Sequence, residues 1–140
     1  MKKILLTLIS FVTFNYALAD ENTPVTFQTD QRKGQVYTSV QFRTNGHVTK
    51  FDQKICFVAG GIRDQQIEGK FELGCSGKKT KDTADTLEYL VSCTGKSDLD
   101  MTWKKISENE TSYVSKSREI EVESTIKYMG PNCDADAVKK

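Results

Sequence analysis

The chain has 140 residues, 20 basic and 19 acidic side chains, four cysteines and one histidine. That near-neutral balance leaves no electrostatic footprint for nucleic acid or for an anionic membrane surface. No two cysteines lie within four residues of each other and His47 has no second histidine, which excludes the usual spacing of a zinc site and a Cys-x-x-Cys redox pair.

The N-terminus has the pattern of an export signal. Lys2 and Lys3 precede an uncharged run, Ile4 to Phe14, and Ala17-Leu18-Ala19 supplies small residues where a signal peptidase cuts. The run is shorter than the roughly 20 residues needed to cross a bilayer of about 30 Å, so the expected product has no integral membrane segment. No cysteine follows the cleavage point to take a lipid. The predicted divisions are a signal peptide over 1–19, one domain over 20–133 and a flexible tail over 134–140. Processing removes two lysines and leaves 18 basic against 19 acidic groups. The expected location is the periplasm, with secretion as the alternative. All four cysteines (Cys56, Cys75, Cys93, Cys133) fall in the mature part, and an even number in an exported chain implies two disulfides.

The dominant periodicity is two, the mark of strands buried on one face. Gln35–Arg43 and Val48–Cys56 flank Asn45-Gly46, the pair a type I′ hairpin requires. That turn sets Val40 against Phe51, Val36 against Ile55 and Phe42 against Thr49 on one face, with Lys50, Asp52 and Lys54 on the other. A third strand is expected where Ile67, Phe71, Leu73 and Cys75 alternate with Glu68, Lys70 and Glu72; the polarity of Ser76–Lys81 makes it a weak strand signal. Within 59–68 lies the one stretch where a short helix competes with a loop, and Gly60-Gly61 favours the loop. Leu87, Tyr89, Val91 and Cys93 mark a fourth strand, and Leu99, Met101 and Trp103 a fifth. A turn near Glu108 pairs the fifth with 111–116, so that Trp103 faces Tyr113 and Asp100 faces Lys116. The last strand carries Ile120, Val122, Ile126 and Tyr128 on one side and Glu119, Glu121, Glu123 and Lys127 on the other. The predicted fold is mainly all-β, an antiparallel meander curling into a half-barrel or sandwich. A hairpin centred on Ala84 places Cys75 opposite Cys93, which leaves Cys56 for Cys133.

Little in the chain suggests chemistry. His47 follows a hairpin turn, where nothing holds it as a general base. Glu119, Glu121 and Glu123 stand about 7 Å apart along one strand face, a spacing that could share a calcium ion but is far more common as a solvated row. Lys78, Lys79 and Lys81 are followed at once by Asp82 and Asp85 and read as a solvated loop. Catalytic residues, metal ligands and cofactors are therefore predicted as none. The aromatic set Phe71, Tyr89, Trp103, Tyr113 and Tyr128 forms a candidate apolar pocket inside the curved sheet, with core filling as the competing role.

Two segments, Tyr89-Leu90-Val91-Ser92-Cys93 and Lys127-Tyr128-Met129-Gly130-Pro131-Asn132-Cys133, with Cys56 and Cys75 upstream, resemble a family of small exported four-cysteine bacterial β-proteins grouped as a domain of unknown function. The resemblance spans roughly residues 34–133. Where members often carry Gly-x-Trp, this chain has Gly34-Gln35-Val36. It implies periplasmic location and an antiparallel β-fold, and it names no catalytic residue. The expected function is that of a non-catalytic binding module for another periplasmic protein, of inhibitor or immunity type. The alternative is a carrier of a lipid or other apolar ligand within the curved sheet.

Overall fold

A computed structural model describes residues 25–61 and 64–140, so the expected signal peptide with Ala17 and Ala19 lies outside the described residues. Its strands are β1 (Gly34–Thr44), β2 (His47–Phe57), β3 (Cys75–Asp82), β4 (Thr86–Cys93), β5 (Leu99–Ser107), β6 (Glu110–Lys116), β7 (Ile120–Gly130) and β8 (Val138–Lys139). They form one open sheet in the order β3-β4-β5-β6-β7-β1-β2-β8, antiparallel except for the β2–β8 pair. The protein is all-β and carries the disulfides Cys56–Cys133 and Cys75–Cys93. Among the described residues there is no helix, and so none long and apolar enough to cross a membrane.

Local chemistry explains the order. Asn45 (φ 50°) and Gly46 (φ 80°) take the two left-handed conformations of the β1–β2 turn. The resulting register pairs Val40 with Phe51, Val36 with Ile55 and Phe42 with Thr49, as the alternation requires. β3 to β7 run as a meander in chain order, with Trp103 opposite Tyr113 and Asp100 opposite Lys116. The hairpin β1–β2 then attaches along β7 rather than along β3. Residues 25–33 make this route feasible by crossing the strand ends. The Asp82 carboxylate, at the end of β3, accepts the backbone N–H groups of Thr26 and Phe27, while Arg32 reaches Asn109 on the β5–β6 turn.

One face of the sheet holds the core. Phe27 and Ile67, from the segments over the sheet, pack on Leu87, Tyr89, Val91, Met101 and Trp103. Seven such residues almost wholly removed from water, at about 2 kcal/mol each, supply much of the drive to fold.

Two expectations fail. The third strand does not run over 67–75: the chain turns at 65–69 and again at 72–75, and Leu73 is fully exposed. Gly69 (φ 77°) and Gly74 (φ 85°) adopt left-handed conformations that interrupt an extended run. Ile67 and Phe71 serve as plugs set down on the core. The strand is instead the polar stretch from Cys75 to Asp82. Its polarity suits an edge, because β3 pairs only with β4 and its lysines blunt further pairing. Gly77 leaves room there for the Phe71 ring, since a Cβ would fall 2.0 Å from Cε2 of Phe71 and displace it. The tail over 134–140 is not loose. Lys54 bonds Asp134 at 2.8 Å, Ala137 is buried, and β8 pairs with Ile55 and Cys56 beside the Cys133 anchor.

Candidate functional site

The inward-facing residues of β1, β5, β6 and β7 make a concave floor that residues 25–33 bridge like a strap. Between strap and floor lies a cavity of about 450 Å3, within the usual size of a small-ligand site. Val36, Ile67, Trp103, Ile126 and Tyr128 give it apolar surface; Asp30, Arg32, Asp64, Lys105 and Asn109 give it polar surface.

Strand period places these side chains. Trp103 and Lys105 stand two residues apart on β5, so both point inward, and Ile126 and Tyr128 do the same on β7. The register sets Tyr128 beside Val36 and Ile126 beside Thr111.

Arg32 closes one end. Its guanidinium lies 3.9 Å above the Tyr128 ring centroid and donates at 2.9 Å to Asn109 Oδ1. It also pairs with Asp30, and the Arg32 side-chain bond holds the Asp30 carboxyl below its ordinary value despite partial burial. The Tyr128 hydroxyl donates to the Lys33 carbonyl at 3.0 Å. Arg32 is thus committed to the strap. Lys105 is different. Its ammonium sits 5.7 Å from the Phe27 ring centroid, and among the described residues no carboxylate lies in ion-pair range of it. Its charge faces the cavity and acts at longer range on the Asp30 carboxyl, which it helps to lower. Asp64 lines the same cavity, its carboxylate accepting the Gln66 N–H at 2.9 Å.

The five aromatics of the candidate pocket divide by role. Phe71, Tyr89, Trp103 and Tyr113 form a continuous ring-to-ring chain with centroids 5.4, 6.1 and 4.9 Å apart. Phe71 and Tyr89 fill the core, where the Tyr89 hydroxyl donates to the Ile67 carbonyl and burial pushes its pKa up. Burial likewise raises Tyr113. Trp103 belongs to the core and the cavity at once, and Tyr128 lies at the strap end of the cavity.

The remaining sequence candidates lie elsewhere. His47 is exposed at the start of β2. Glu121 stands between Lys116 (3.7 Å) and Arg43 (4.0 Å) on neighbouring strands, so its charge is already met. Among the described residues no three His, Cys, Asp or Glu side chains come together as a metal ion would need. The strap was missed from sequence because Phe27 is the lone large apolar residue in a polar stretch. Arg32 and Lys105 carried no pattern at all.

Comparison with family models, with curated proteins and with solved structures finds no match to this chain.

Proposed function

We propose that this protein is an exported, periplasmic binding module that takes a small apolar ligand with an acidic head group into the cavity beneath the strap. The observation that carries this reading is the cavity itself, with Trp103 and Tyr128 on its walls and Lys105 facing it. Apolar side chains would hold the ligand body by excluding water, and the Lys105 ammonium, which makes no direct ion pair among the described residues, gains by meeting an anion. Two crosslinks keep the sheet preorganised, which lowers the entropy lost on binding. The charged run at Lys2-Lys3, the apolar run and Ala17-Leu18-Ala19 support export of the precursor. In this reading the protein binds and releases without chemical change. Organic extraction of protein purified from its native compartment, followed by mass spectrometry, should recover a fatty-acid-like molecule in near-stoichiometric amount. Extracts holding nothing above a disulfide-matched control protein would count against it.

A second reading is favoured by a separate observation. Phe42 and Phe51 stack 6.0 Å apart on the same concave face, beyond the cover of the strap, and are 38% and 49% exposed. Such a patch suits another protein, of inhibitor or immunity type. Co-purification from periplasmic extract with wild type, compared with Phe42→Ser/Phe51→Ser, should yield a partner that the variant loses.

A further inference from the structure

We propose that the head group of the ligand is zwitterionic, its anion meeting Lys105 and an ammonium beside that anion meeting Asp64. The proposal rests on the cavity being a ligand site and narrows the class of molecule it takes. Five charged side chains line the cavity: Asp30, Arg32, Asp64, Lys105 and Glu108. Arg32 and Asp30 form a two-pronged pair and cancel each other. Glu108 is exposed on the β5–β6 turn, where water screens it. Two opposite charges remain: Lys105 on the floor, and Asp64 on the segment that leads into the Ile67 plug.

The Asp64 carboxylate is half-buried and only half used. Its Oδ1 accepts the Gln66 N–H at 2.9 Å, which shapes the turn at 65–69, and among the described residues Oδ2 has no hydrogen-bond or ion-pair partner. Its charge reaches the floor: it opposes ionisation of Tyr113, whose ring lies 4.9 Å from that of Trp103. Trp103 and Lys105 stand about 7 Å apart on the same face of β5. Asp64 therefore overlooks the floor close to Lys105 without pairing with it. A simple carboxylate entering this space gains from Lys105 and loses to Asp64, because like charges repel strongly away from bulk water. A bare ammonium meets the opposite difficulty. A head with a carboxylate and an ammonium on one carbon satisfies both, with a charge-assisted hydrogen bond of about 2.8 Å to each side chain. It brings no net charge, so neither partner is left unpaired once water is excluded. The chemical class is an apolar chain ending in an α-amino acid head.

The test is a titration of ligand-stripped, processed protein with 2-aminododecanoate and with dodecanoate at pH 7, followed by Trp103 fluorescence, in wild type and Asp64→Asn. The asparagine amide oxygen still accepts the Gln66 N–H, so the turn is kept. Wild type should bind 2-aminododecanoate about tenfold tighter than dodecanoate, the effect of one charge-assisted bond. Asp64→Asn should weaken 2-aminododecanoate about tenfold and tighten dodecanoate, which no longer meets a like charge. The readout is the ratio of the two affinities, so a general loss of fold, which weakens both probes alike, cannot imitate the result. Dodecanoate binding as tightly as 2-aminododecanoate in wild type, or a preference that survives Asp64→Asn, overturns the proposal and leaves the ligand site standing. Saturation by neither probe removes the site itself, and the proposal with it.

Discussion

The two ends of the concave face carry the same alternating pattern and reach opposite burial. Around β4 and β5, Leu87, Tyr89, Val91, Met101 and Trp103 are almost wholly enclosed. Along the β1–β2 hairpin, Phe42 and Phe51 sit on the same face and remain open to water. The difference lies in what is laid on top. Phe27 and Ile67 cap the first region, brought there by the strap and by the turns at 65–69. No described segment caps the second. Alternation therefore says which face a side chain joins, while burial depends on irregular segments that have no period.

The sharpest contrast between the regions lies in their crosslinks. Cys56–Cys133 closes a separation of 77 residues and fastens the hairpin side, whereas Cys75–Cys93 closes 18 residues at the edge of the core. In the chain-entropy picture, replacing the first pair with alanine should cost about 4.5 kcal/mol and the second about 3 kcal/mol. Urea unfolding of both variants should preserve that order. Side-chain truncation comes next. Leu87→Ala, at a position with 0% exposure, should lose about 3 kcal/mol by transfer and cavity terms, and Phe51→Ala less than about 1 kcal/mol. Equal losses would mean that the hairpin face is covered in solution.

A smaller effect tests the strap. Burial alone would raise the Asp82 carboxyl, but the N–H groups of Thr26 and Phe27 and the Lys79 ammonium outweigh it and hold the pKa below the ordinary value. The folded pKa is depressed, so this stabilisation is complete above the unfolded value near 4 and is lost as pH falls through the folded one. Asp82→Ala should cost about 2 kcal/mol at pH 7 through its lost charge-assisted bonds. The gap between variant and wild type should narrow on acidification below about pH 4. The smallest effect belongs to Lys105→Met, which breaks no ion pair among the described residues and should shift stability by under about 0.5 kcal/mol.

Much of the sheet was legible because turn chemistry and apolar spacing agreed independently. Asn45-Gly46 together with Val36, Val40, Ile55 and Phe51 yields the hairpin register, and Trp103 with Tyr113 yields β5–β6. The hairpin centred on Ala84 likewise identifies the Cys75–Cys93 crosslink, though a one-residue bulge between Lys79 and Lys81 shifts its tip. β3 was illegible because an edge strand pairs on one side only and has little need of apolar residues. β8 is two residues long, too short for any periodicity, and depends on the Cys133 anchor and the Lys54–Asp134 pair. The cavity was half legible. Trp103 and Tyr128 stood out as aromatics, but Arg32 and Lys105 acquire their roles only when the strap meets the β5–β6 turn.

Trp103 is the sole tryptophan of the chain and lines the cavity, so its fluorescence reports directly on occupancy. The deciding measurement is a titration of ligand-stripped protein with dodecanoate and with dodecanol, in wild type and Lys105→Met. Saturable change is expected with both probes, with dodecanoate the tighter in wild type and weakened about tenfold in the variant while dodecanol is unchanged, a difference of about 1.4 kcal/mol. No saturable change with either probe, or equal affinity for dodecanoate in the two proteins, would contradict a ligand site built on Lys105.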